Sequence, residues 1–125
     1  MEFDNNKSIF LQIADSISEK VANGTYPPGE KVPSVRELAS DLGVNPNTVM
    51  RTYNELQTAN ILDNRRGIGY FVNSDAPRLI LARKRSDFFQ KVLPGFLHQA
   101  TLLGITSADL KKYLDKLNTE NHEDK

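Results

Sequence analysis

Asn47, Arg51, Asn54 and Thr58 recur at spacings of four, three and four, a rhythm that places them along one side of a helix. Thr48 falls at the edge of that side. The chemistry on offer is recognition by hydrogen bonds. The forked donors of arginine match the edge of guanine in a major groove, and a side-chain amide matches adenine. A face meeting only water is more cheaply made of lysine and glutamate, although an asparagine-rich solvated face is the plain alternative. The opposite arc of the same segment is apolar, with Val49, Tyr53 and Leu56 close together and Met50 on their flank, so it is expected to bury.

Little else in the chain could do chemistry. The only histidines, His98 and His122, have no acidic or nucleophilic partner at a catalytic spacing, and there are no cysteines. That excludes disulfides, thiolate metal sites and a cysteine nucleophile. No enzyme activity, cofactor or metal site is expected. The N-terminus lacks the basic flank and apolar run of a signal peptide, and no stretch reaches the ~20 apolar residues of a membrane span. A cytoplasmic protein with no membrane partner is the expectation.

The formal net charge of zero hides an uneven distribution. Residues 1–30 hold two basic and five acidic residues, a net of −3. Residues 31–91 hold ten and six, a net of +4, and residues 92–125 hold four and five, a net of −1. A polyanion senses charge within about a Debye length, ~8 Å in physiological salt, so the middle segment can still meet DNA.

The elements that must position these side chains follow from periodicity and caps. Ile9, Phe10, Ile13, Ala14, Ile17 and Val21 predict a first helix over residues 9–22, with Ser8 as N-cap and Gly24 just beyond its end. "GTYPPGEKVP" reads as a fixed connector. Ser34 and Glu37 form a capping box at the head of a second helix, which Gly43 ends. Asn45 then caps a third helix with Pro46 at its first position, and Val44 is placed to staple against Val49. Two helices so closely joined make a helix-turn-helix. In "ILDNRRGIGYFV", Ile61-Leu62 and Tyr70-Phe71-Val72 read as strands and "DNRRGIG" as the turn, a hairpin that would form a wing. The expected fold class is mainly α: a winged helix-turn-helix, three helices plus a β-hairpin wing, with a two-helix C-terminal appendage.

Around the third helix lie candidate phosphate ligands. Ser34 and Arg36 stand at the start of the second helix, where free amides favour an anion; a plain surface ion pair is the lesser alternative for Arg36. Arg65 and Arg66 precede Gly67 in the wing and could reach a phosphate or a narrow minor groove, though an ordinary turn also tolerates such a sequence.

"VPSVRELASDLGVNPNTVMRTYNELQ" followed by "ILDNRRGIGYFV" resembles the winged-helix domain of the GntR family of bacterial transcription regulators, and "IFLQIADSISEKVANGTYPPGEKVPSVREL" resembles its opening helix and connector. The resemblance covers about residues 8–73. It implies that the residues matching Ser34, Arg36, Asn47, Thr48, Arg51, Arg65, Arg66 and Gly67 meet double-stranded DNA; Asn45, heading the same helix, joins the expected contact set. The chain departs from the family at Pro46 and Met50, where many members carry arginine, and at Asn60, where glycine is usual.

From Asp75 the character changes. A long amphipathic helix is predicted from about Arg78 to Leu103, interrupted by Pro94, then a last helix from Thr106 to about Leu117 with Asp109 as reciprocal cap. The expected division is a winged-helix DNA-binding domain over 1–75, a helical dimerisation region over 76–118 and a disordered tail over 119–125. About 48 residues follow Pro77, too few for the sensing domains of larger GntR classes. The appendage, with "LLGITSADLKKYLDKL", resembles that of the YtrA subfamily, which implies dimerisation. Phe88, Phe89, Val92, Leu93, Phe96, Leu97 and Ala100 are the candidate dimer residues; folding back on the winged domain is the alternative use of that face. Arg83, Lys84 and Arg85 read as a solvated face or as contacts to flanking DNA. Together these readings describe a homodimeric, sequence-specific repressor acting at a palindromic operator, with a small-molecule effector left open as a further partner. A winged-helix protein-interaction module is the rival.

Overall fold

A stripe of aliphatic residues on a short amphipathic helix has to find a partner surface, and α1, Ile9–Ala22, finds it in the helices that follow. Ile13, Ala14, Ile17 and Val21 are buried, whereas Ile9 and Leu11 stay exposed. Ser8 has the extended backbone of an N-cap but makes no side-chain cap bond. This is a computed structural model that describes residue 3 and residues 7–123.

The capping box at the head of α2, Val35–Leu42, is formed as its sequence predicts. The Ser34 hydroxyl accepts from the Glu37 amide at 3.1 Å, and the Glu37 carboxylate accepts from the Ser34 amide at 3.2 Å. Hydrogen bonds donated to it by Ser34, from the backbone amide first and then from the side chain, hold the Glu37 carboxyl below the usual carboxylate range. Gly43, at φ 67, ends the helix. α3, Pro46–Thr58, starts three residues later, where the Asn45 side chain accepts from the Asn47 amide at 2.8 Å. Beyond its end Asn60 adopts φ 63, the one positive φ outside glycine among the described residues. Asparagine is the residue type that tolerates this conformation most readily after glycine, so the departure from the family pattern is accommodated.

The wing differs in extent from the sequence reading. β1, Leu62–Arg65, pairs antiparallel with β2, Gly69–Val72, with Leu62 opposite Val72 and Arg65 opposite Gly69. Asp63, Asn64 and Arg65 therefore belong to a strand, not to the turn. Only Arg66, Gly67 and Ile68 form the loop, closed by the Ile68 amide on the Arg65 carbonyl at 2.8 Å. Gly67, at φ 79, supplies the left-handed residue that such a three-residue hairpin requires. The proline-rich connector also does more than join helices. The Val32 amide bonds the Tyr70 carbonyl and the Val72 amide bonds the Glu30 carbonyl, each at 2.9 Å, so residues 30–32 run beside β2 as a third, short rung. Prolines at 27, 28 and 33 conceal that extended pairing from sequence reading.

α4, Ala76–Asp87, begins two residues earlier than predicted, and its Ala76 and Ile80 are buried in the same core as α1–α3. For that reason the chain divides into units Met1–Lys84 and Arg85–Lys125, later than the expected break after residue 75. Lys84 pairs with Glu19 at 2.6 Å, which ties the basic stretch of α4 to α1. In the second unit the interruption predicted at Pro94 takes a defined form. Residues Phe88–Val92 make a π-helical turn in which the Leu93 amide bonds the Phe88 carbonyl, five residues back. A proline has no amide and its ring crowds the carbonyl four residues before it; the widened turn precedes that conflict. α5, Leu93–Leu102, carries Pro94 near its start. Thr106 and Asp109 cap α6, Ser107–Glu123, reciprocally at 3.0 and 3.3 Å. This helix continues past Leu117, so residues 119–123 of the expected disordered tail have helical backbone, and 124–125 lie outside the described residues.

Candidate nucleic-acid interface

α3 presents two chemically distinct sides. Val49, Thr52, Tyr53 and Leu56 are buried, while Asn45, Asn47, Arg51, Asn54 and Thr58 are exposed and Thr48 lies between. Thr52 is the polar residue that sequence reading missed on the inner side. Its hydroxyl donates to the Phe10 carbonyl at 2.9 Å and the Thr48 carbonyl at 3.1 Å, which satisfies it and fastens α3 to α1. Met50, expected on the flank of the buried arc, is 42% exposed, with the Tyr70 hydroxyl 3.8 Å from its sulfur. The reason is angular: Met50 lies at the margin of α3's inner side, next to the exposed Arg51 and Asn54 side.

Tyr53 fixes α3 against the head of α2. Its hydroxyl donates to the Pro33 carbonyl at 2.6 Å, and its ring meets that of Tyr70 edge-on at 4.9 Å. Burial, first of all, pushes its phenol well above the ordinary tyrosine range. Because Pro33 immediately precedes Ser34, this bond sets where the N-terminus of α2 lies relative to α3. The Ser34 hydroxyl is engaged with Glu37 in the capping box, accepting from its amide.

The cations are not committed to carboxylates among the described residues. Arg36, Arg51, Arg65 and Arg66 are exposed, and none forms an ion pair with another described residue. The surface ion pair weighed for Arg36 is thus not made among the described residues. Two of the four are held by rings instead. The Arg51 guanidinium lies 3.8 Å from the Phe10 ring centroid, and that of Arg65 lies 4.1 Å from the Phe71 ring. Arg66 and Gly67 occupy the wing tip with Ile68, an exposed apolar residue that sequence reading did not single out. The wing, the head of α2 and the outer side of α3 all belong to one unit.

In the second unit, Phe88, Phe89, Val92, Phe96 and Leu97 are exposed, Leu93 is intermediate and Ala100 is buried. The Phe88 and Phe89 rings pack edge to face at 5.6 Å. Tyr113, Leu114 and Leu117 on α6 are exposed too; their spacing of one and three was a legible signal that the sequence reading left unused. Among the described residues no helix is long and apolar enough to cross a membrane, and no group of three His, Cys, Asp or Glu could hold a metal ion.

Residues 10–72 match the profile of the bacterial regulatory proteins of the gntR family. The HTH-type transcriptional regulator YhcF of Bacillus subtilis is 39% identical over 109 residues, covering 87% of this chain and 88% of that protein. The HTH-type transcriptional repressor YtrA of the same organism is 30% identical over 112 residues, covering 90% of this chain and 85% of its own length. Among solved structures, a GntR family transcriptional regulator from Listeria monocytogenes superposes with a TM-score of 0.69 at 35% identity, covering 91% of this chain and 98% of that one. The winged-helix fold and these relatives agree: the chain belongs to the GntR family of bacterial regulatory proteins, in its YtrA-like branch, and is a DNA-binding transcription regulator, not an enzyme.

Proposed function

We propose that this regulator is a cytoplasmic, homodimeric repressor that binds an inverted-repeat operator, one winged helix to each half-site. The observation that carries the reading is the outer side of α3, where Asn47, Arg51 and Asn54 are exposed on a helix whose inner side is fully packed. Asn45 and Thr48 flank the first turn of that helix, the part of a recognition helix that contacts base edges. Ser34 and Arg36 at the head of α2, with Arg65, Arg66 and Gly67 in the wing, supply backbone contacts that set register without reading sequence. Dimerisation through Phe88, Phe89, Val92, Leu93, Phe96, Leu97 and Ala100 doubles the number of bases read, which one short helix cannot reach alone. Repression follows from occupying a promoter and needs no reaction on the DNA.

Selection of bound duplexes from a random pool by the full chain, followed by gel shift, tests this. Enrichment of a palindrome is the expected result. Arg51→Ala should then lower the ratio of operator to random binding, whereas Arg66→Ala should weaken both and reduce the salt slope by about one. Failure to enrich any duplex at low ionic strength would overturn DNA binding and leave the wing and α3 as a protein-interaction surface.

A further inference from the structure

We infer that Phe10 is a positioning residue for sequence reading: its ring holds the Arg51 guanidinium in place while leaving the edge of that group open to a guanine. The inference rests on α3's outer side entering a major groove. Phe10 lies in the apolar stripe of α1, yet it is only half-buried and stands outside the buried core that Ile13, Ala14, Ile17 and Val21 join. It contacts α3 at two successive residues instead. Its ring carries the Arg51 guanidinium 3.8 Å from the centroid, and its carbonyl accepts the Thr52 hydroxyl at 2.9 Å.

Stacking engages the flat face of a guanidinium and not its N–H groups, which point outward in the plane. No described carboxylate competes for those donors. An arginine without this support would sample many rotamers and would have to order on binding, a cost that falls on the specific complex. The Phe10 ring removes part of that cost before DNA arrives. Because the Thr52 bond uses the Phe10 backbone, changing the ring leaves the clasp between α1 and α3 intact.

The test uses the full chain and a duplex selected by it from a random pool. Each guanine is replaced in turn by 7-deazaguanine, which lacks the N7 acceptor. The wild-type chain should lose about tenfold in affinity at one guanine per half-site. Phe10→Tyr should keep that loss, and Phe10→Leu should shrink it by about threefold to fivefold at an unchanged melting temperature. Arg51→Ala should abolish it, and adding Phe10→Leu to Arg51→Ala should change nothing more. Full guanine discrimination in Phe10→Leu, with Arg51→Ala deficient, overturns the positioning role alone. An equal loss for every duplex in Phe10→Leu overturns it as well, since that is what a merely structural residue would give. Unchanged discrimination in Arg51→Ala overturns instead the assignment of the reading side.

Discussion

Replacing Phe96 by aspartate should separate the two copies of the proposed dimer, and the size of the effect can be worked from the structure. Phe88, Phe89 and Phe96 are 49%, 55% and 47% exposed. A phenylalanine side chain offers ~200 Å², so each ring leaves about 100 Å² to bury, worth about 2.5 kcal/mol at ~25 cal/mol/Å². A two-fold interface uses every ring twice, so three rings contribute about 15 kcal/mol, against roughly 4–15 kcal/mol for association itself. Val92 and Leu97, also about half exposed, push the balance toward a stable dimer. Phe96→Asp deletes two rings' share, about 5 kcal/mol, and would bury two carboxylates; the dimer should weaken by more than a thousandfold. Sedimentation velocity from about 1 to 100 µM reads this directly, with far-UV circular dichroism as the check that α5 persists. Operator binding should fall with the loss of paired half-sites, while binding to random duplex changes little. A wild-type chain that sediments as a monomer throughout, or a Phe96→Asp chain that stays dimeric, would refute the assignment of this face.

Other substitutions probe the winged unit. Thr52→Val keeps shape but removes a donor whose two acceptors remain helix-bonded, so urea unfolding should show a loss of about 1 kcal/mol. Asn60→Val forces a β-branched residue into the left-handed region and should cost about 1–2 kcal/mol in the same assay. Glu37 has a folded pKa below its ordinary value of 4.5, so its share of stability is present above that pH and disappears as pH falls through the lower, folded value; thermal melts of Glu37→Gln should show a shallower acid limb. A Glu37→Gln chain with the wild-type acid profile would remove the capping box as its cause.

What could be read from sequence divides along physical lines. α1, α2 and α3 were legible because caps and apolar spacing are local properties: Ser34, Glu37, Gly43 and Asn45 each announce a helix boundary by themselves. The division of α3 into a buried and an exposed side followed from the same periodicity. Contacts between distant segments were not legible. Nothing local marks Thr52 as the residue that bonds Phe10, or Lys31 as a partner of Phe71 across forty residues of chain. Strand extent failed for a related reason, since Asp63-Asn64-Arg65 has turn-forming composition and becomes strand only by pairing with β2. The break after residue 75 was placed where composition changes, but Ala76 and Ile80 are held by the core on the other side of it. Pro94 announced a disruption without revealing that a π turn would absorb it.

The short rung beside β2 has a consequence for motion. Glu30, Lys31 and Val32 tether the wing to the segment that leads directly into Pro33 and Ser34. A hairpin held only by its own strand pairing would swing as a flap; this one is stitched over residues 70–72 to the short segment that leads into α2. Deuterium uptake should therefore find the amides of Gly29, Val32 and Val72 opening in concert, and clamping the hairpin tip on a duplex should slow exchange at all three.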